Sequence, residues 1–196
     1  MKGHGLKFQA ITLPNGMYGN AWGAALSHND RGMINMSGLE EYLSSHVVTR
    51  SVGNDEDGWF YPAVYGDSIY VPSEVIQKAV DIDAIEGNRE MFKTLNRRLN
   101  RSRTSIENHF GLMFNEWALL EVKGRHKLVR NKGRVYKLGI VAFFLTNCYT
   151  CFRGNSISKR FGMNRITLDE YIPLNEVIEP FVEDVDDEFM DGEIFA

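Results

Sequence analysis

LKFQAITLPNGMYGNAWGAA, residues 6–25, is the stretch on which the fold turns. Leu6 to Leu13 reads as a strand, Pro14-Asn15-Gly16 as a turn, and Met17 to Ala25 as the returning strand, with glycines that thin its packing. The chain therefore opens on a β-hairpin. Next comes SHNDRGMINMSGLEEYLSSH, where Asn29 or Asp30 caps a short helix and Gly38 interrupts it before LEEYL. Ser51 to Gly58 is a polar loop. WFYPAVYGDSIYV (59–71) is aromatic and β-branched, so it reads as a buried strand with a turn at Gly66-Asp67. PSEVIQKAV (72–80) reads as a short helix with Pro72 near its first turn, and residues 81–88 as a polar loop.

From Arg89 to about Leu120 the pattern is helical. Phe92, Leu95, Leu99, Ile106, Phe110 and Met113 form one apolar stripe. Gly124 to Gly133 is a basic loop or strand pair, and a second long helix runs from about Arg134 to Phe152. Strands come early and helices late, an α/β arrangement with a helical C-terminal half. After Gly162 the chain turns acidic and loses periodicity. The expected organisation is thus one domain over 1–165 and an acidic, disordered tail over 166–196. No internal repeat is present.

A hydrophobic fraction of 43% over 196 residues is enough to build a core. The longest apolar run, Leu138 to Leu145, is far shorter than the ~20 residues of a membrane span. The N-terminus carries no signal-peptide pattern, which points to an intracellular protein, nuclear or cytoplasmic. Cys148 and Cys151 lie in an apolar helical run with no second CxxC, and read as buried thiols. None of the five histidines forms an HxH or HxxxH pair, which argues against zinc. Nucleotide-binding and serine-hydrolase motifs are absent from the sequence.

The net charge of −4 hides an asymmetry. Asp169 to Ala196 holds 11 of the 26 acidic residues and no Lys or Arg, which leaves +7 on the rest. Arg89 to Lys137 alone carries 13 Lys and Arg against four acids. Such a segment suits a polyanion, and equally an ordinary solvated surface. Within this setting two carboxylates stand out. Asp67 sits at a strand end, where rigid backbone can aim it, although Asp is also a common turn residue. Glu107 lies at the boundary of the buried face of the long helix, where it either reaches a sheet edge or pairs with Arg103 one turn away. Metal-dependent phosphoryl transfer on DNA needs carboxylates that hold Mg²⁺ or Mn²⁺ and a basic surface for the flanking phosphates. Both are present.

The ordered strings LPNGMYGNAWG, SHND, SGLEEYL, YGDSIY, RSRTSIENHFG and LTNCYTCFRGN, between about His4 and Gly162, resemble the DDE superfamily endonuclease of Harbinger-type transposases. The resemblance implies a ribonuclease-H-like fold and a DNA phosphodiester as substrate. By it, Asp67 in YGDSIY matches the second catalytic aspartate, and Glu107 in SIENHFG the catalytic glutamate 40 residues on. Asp30 in SHND matches an aspartate beside the site and joins them as a candidate metal residue. Arg97, Arg101, Arg103, Arg125, Lys127 and Arg130 would hold DNA, and a Myb-like protein is the implied partner for site choice. The chain departs from the family at one point: nothing acidic precedes Asp30, so the first catalytic aspartate and its central strand are missing. The expectation is a domain that binds DNA without cutting it; a non-catalytic DNA- or protein-binding remnant and an unrelated α/β binding protein are the alternatives. If the assignment is right, the Asp67 and Glu107 carboxylates lie within about 8 Å of each other, the span of one or two metal ions.

Overall fold

The computed structural model describes residues 5–46, 63–84, 87–120 and 132–173. Among the described residues the architecture is mixed α/β, helix-rich, with two two-stranded sheets. In chain order the elements are β1 (Leu6–Thr12), β2 (Tyr18–Ala25), α1 (Asp30–Met36), α2 (Leu39–His46), β3 (Val64–Tyr65), β4 (Ile76–Gln77), α3 (Arg89–Glu116), a 3₁₀ turn (Ala118–Leu120), α4 (Lys132–Arg153), α5 (Ser156–Phe161) and α6 (Leu168–Tyr171). They form two compact units, Met1–Ser27 with His109–Ala196, and His28–Asn108. The residues of α3 are divided between them.

In the first unit β1 and β2 pair antiparallel, with a register shift between Ile11 and Thr12. Phe8 is the apolar anchor. Its ring stacks on Tyr136 and meets Phe143 edge-on. A Cβ on Gly23 of β2 or on Gly139 of α4 would collide with it, so both glycines are what lets the strand pack this close to the helix. Tyr18 lies flat on His109, with ring centroids 3.6 Å apart, and meets Phe143 edge-on at 4.7 Å.

The buried side of α4 is as polar as it is apolar. Thr146, Asn147 and Thr150 lie inside beside Ala142 and Phe143. Asn147 accepts the Tyr18 N–H at 2.7 Å and donates to the Tyr18 carbonyl at 2.9 Å. Thr146 donates to the Ala142 carbonyl and accepts from the Trp117 indole. Among the described residues α4 is the one helix long and apolar enough to cross a membrane, by length and composition. Here its buried polar side chains all have partners: Asn147 in Tyr18 and Tyr171, Thr146 in Trp117 and the Ala142 carbonyl, and Thr150 in Asn155. Cys148 and Cys151 are free thiols on this helix, their pKa values pushed up by burial.

The second unit buries Met33, Ile34, Leu39 and Leu43 of α1 and α2, together with Val75 and Ile76. Asn29 caps α1 by accepting the Gly32 N–H. Two expectations fail here. The buried strand expected over 59–71 is reduced to Val64–Tyr65 among the described residues, half-buried, with a turn at 68–70. PSEVIQKAV is not a helix: Ile76–Gln77 pairs parallel with β3, through Val64 N–H to Val75 O and Gly66 N–H to Gln77 O. Val75 and Ile76 are β-branched and almost fully buried, and burial outweighs the helix-start signal of Pro72.

Both long helices run where periodicity places them, and the stripe expected on α3 is buried only in part: Met113 is inside and Phe92, Leu99, Ile106 and Phe110 are half-buried, but Leu95 is exposed, and the polar Asn96, Ser105 and His109 are buried. The expected disorder of 166–196 is also corrected for its first residues. A capping box between Thr167 and Glu170 starts α6, and the Tyr171 hydroxyl receives a hydrogen bond from Asn147. Residues 174–196 and the loops 51–58 and 124–131 lie outside the described residues.

Two outcomes follow from this packing. Asn147→Ala leaves both backbone groups of Tyr18 buried and unpaired, and is expected to cost about 2–4 kcal/mol in denaturant unfolding. His109 is fully buried; its Nδ1 pairs with Thr12 Oγ1 while its Nε2 has no partner. Burial pushes its pKa down from 6.5 to about 4, so the folded state favours the neutral ring. Its contribution is intact above pH 6.5 and is lost as pH falls from 6.5 towards 4, about 3 kcal/mol in all. His109→Phe is expected to flatten the stability profile in that window.

Candidate functional site

The site is built on the polar face of α3. Asn96, Asn100, Arg103 and Glu107 recur at helical spacing, and three of them take partners from the segment 65–80. Asn96 accepts the Val80 N–H at 2.9 Å and donates to the Val80 carbonyl at 2.8 Å. The Tyr65 hydroxyl donates to Asn100 Oδ1 at 3.1 Å. Arg103 Nη1 stands 3.8 Å from Asp67 Oδ2. The two-residue strand β3 is therefore fixed to the helix through side chains.

Asp67 does two jobs with its two oxygens. Oδ1 accepts the Ser68 N–H at 2.6 Å and the Ser68 hydroxyl at 3.3 Å, and its carbonyl accepts the Tyr70 N–H. This is the turn role of an aspartate. Gly66 makes the turn possible, because a Cβ there would press into the Tyr70 ring. Oδ2 faces Arg103. The same guanidinium nitrogen is 3.5 Å from Glu107 Oε1. Asp67 Oδ2 and Glu107 Oε1 are thus no more than about 7 Å apart, inside the expected span. Both readings of Glu107 hold at once: it pairs with Arg103, and it stands opposite Asp67.

Asp30 begins α1. Burial raises the pKa of the Tyr70 hydroxyl, and the charges of Asp30 and Asp67 raise it further, so both carboxylates are felt at that ring. Burial likewise raises the Tyr65 hydroxyl, Arg103 lowers it and Asp67 raises it. Among the described residues no three His, Cys, Asp or Glu side chains are grouped to hold a metal ion. Two exposed carboxylates with a cation already between them suit a hard divalent ion that keeps several waters, and not a closed zinc site.

Beside the carboxylates runs an open groove of about 490 Å³, lined by Ile82, Lys93, Asn96, Arg97, Asn100, Arg101 and Thr104. Lys93, Arg97 and Arg101 are four residues apart, so they rise along one flank of α3 at roughly 6 Å per step. Lys93 is bound to Glu90 at 2.7 Å, which holds the Glu90 carboxyl below its ordinary pKa. Of the expected DNA-binding residues, Arg97 and Arg101 lie in this groove and Arg103 lies between the carboxylates. Arg125, Lys127 and Arg130 lie outside the described residues. Sequence reasoning missed Asn96, Asn100 and Tyr65; the signal was there, as polar residues spaced i, i+4, i+7 and i+11 up to Glu107. No protein-family profile, curated protein or solved structure matches the chain.

Asn96 is the strongest of the three attachments and its removal is directly readable. Asn96→Ala is expected to destabilise the protein by about 1–3 kcal/mol. Hydrogen exchange at the Val80 amide should rise by an order of magnitude or more, with the Tyr18 amide unchanged.

Proposed function

We propose that the chain is a Harbinger-type DDE nuclease derivative of ribonuclease-H-like descent that binds DNA without cutting it. The observation that carries this reading is the juxtaposition of the Asp67–Glu107 pair with the cationic flank of Lys93, Arg97 and Arg101. A bound Mg²⁺ or Mn²⁺ supplies Lewis acidity at a phosphate and a more acidic water. Asp67 Oδ2 and Glu107 Oε1 are the oxygens that would hold it, with the Ser68 hydrogen bonds fixing the Asp67 carboxylate. Arg97 and Arg101 hold backbone phosphates, and Asn100 and Thr104 offer neutral polar contacts between them. The order of hairpin, carboxylate-ended strand and carboxylate-bearing helix supports the ribonuclease-H-like part of the reading. In this reading the chain works inside the cell on DNA, and a Myb-like partner selects the site.

The silent half of the proposal rests on ligand count. Cutting needs ions fixed to a fraction of an ångström by preorganised ligands. Two exposed carboxylates, joined by no third among the described residues, do not supply that.

Titration of a labelled duplex by fluorescence anisotropy between 50 and 200 mM salt tests the binding. Affinity is expected to fall steeply with salt. Arg97→Gln with Arg101→Gln is expected to weaken binding about tenfold and to reduce the slope of log K against log salt by about two. No binding at the lowest salt would sink the DNA reading. Supercoiled plasmid with Mg²⁺ or Mn²⁺ is expected to stay intact. Nicking that is lost in Asp67→Ala and Glu107→Ala would show an active nuclease instead.

A further inference from the structure

We infer that Arg103 is a displaceable internal counter-ion that competes with a divalent cation for the Asp67–Glu107 pair. The inference rests on the proposal that these carboxylates take such a cation. One nitrogen, Nη1, serves both carboxylates, at 3.8 Å and 3.5 Å. Both distances exceed those of a formed N–H···O bond, and a single atom cannot make the two-pronged clamp that gives arginine its strong pairs. Arg103 therefore acts here as a point charge lying between two anions.

Its hold is weak because water reaches all three groups. The side chains of Arg103, Asp67 and Glu107 are 37%, 57% and 61% exposed. Among the described residues the guanidinium has no other ion pair: Asn100 on the same face is engaged with Tyr65, and Asp67 Oδ1 is engaged with Ser68. A divalent ion would bring twice the charge of Arg103 to the same two carboxylates. The arginine thus balances the charge of the two carboxylates without a metal and must leave, or be repelled, when one arrives.

Mn²⁺ binding to the full chain, followed by the electron paramagnetic resonance of the free ion, reads this directly. Arg103→Gln keeps the bulk and removes the charge, and should bind Mn²⁺ about three- to tenfold more tightly than the parent. Arg103→Lys keeps the charge and should stay within twofold of the parent. Adding Glu107→Gln to Arg103→Gln should erase the gain. If Arg103→Gln binds no more tightly than a parent that does bind, the competition is wrong and the cation site stands. If it binds more weakly, Arg103 is instead a positioning residue for the carboxylates, and the inference is overturned. If neither parent nor variant takes up Mn²⁺, the cation site proposed above falls, and the competition with it.

Discussion

In each unit a single asparagine side chain pairs with both backbone groups of one residue, and the rest of the structure depends on those two clamps. Asn147 holds Tyr18 and Asn96 holds Val80. An amide side chain presents a donor and an acceptor side by side, so it can take the place of a strand edge where no strand is available. The need is greatest where the sheets are smallest. A strand of two residues cannot satisfy its own backbone, and an isolated two-stranded sheet is marginal in water. Helix side chains supply the missing partners, and they fix the register of what they hold as well as its stability.

The same logic explains the mixed legibility of the sequence. The hairpin was readable because alternation and a Pro-Asn-Gly turn agree with each other. The two long helices were readable because apolar residues recur at 3.6 spacing over many turns. Residues 72–80 were not, because Pro72, Ser73 and Glu74 imitate a helix start while the buried Val75 and Ile76 decide the outcome through contacts invisible to local propensity. The inner face of α3 was readable only in part for a related reason. Ser105 and His109 are buried, and polar residues on a helix ordinarily mark its wet side. At the other end, Tyr171 ties the start of the acidic stretch to Asn147, a single bond that composition does not announce.

At the site, the proximity of Asp67 and Glu107 could be anticipated from a strand end and a helix boundary. The third participant was visible only as an i,i+4 partner of Glu107. That Arg103 also faces Asp67 depends on where Tyr65 and Asn100 anchor β3, and neither residue carries a motif. The geometry of the carboxylates is therefore inherited from neutral hydrogen bonds nearby, not from the charges themselves. Exposed charges are too weakly coupled to position backbone.

Charge then sets how the proposed ligands would influence one another. The carboxylate pair is embedded in a basic segment, with Arg97, Arg98, Arg101 and Arg103 on the same helix. Such a field disfavours an incoming cation. A polyanion along the flank of Lys93, Arg97 and Arg101 would reverse that effect, because it neutralises the charges that repel the metal. Cation and nucleic acid would each lower the cost of binding the other, and by linkage the coupling is the same in both directions. An exposed carboxylate pair beside a cationic groove is accordingly a poor metal site by itself and a better one when phosphates are present.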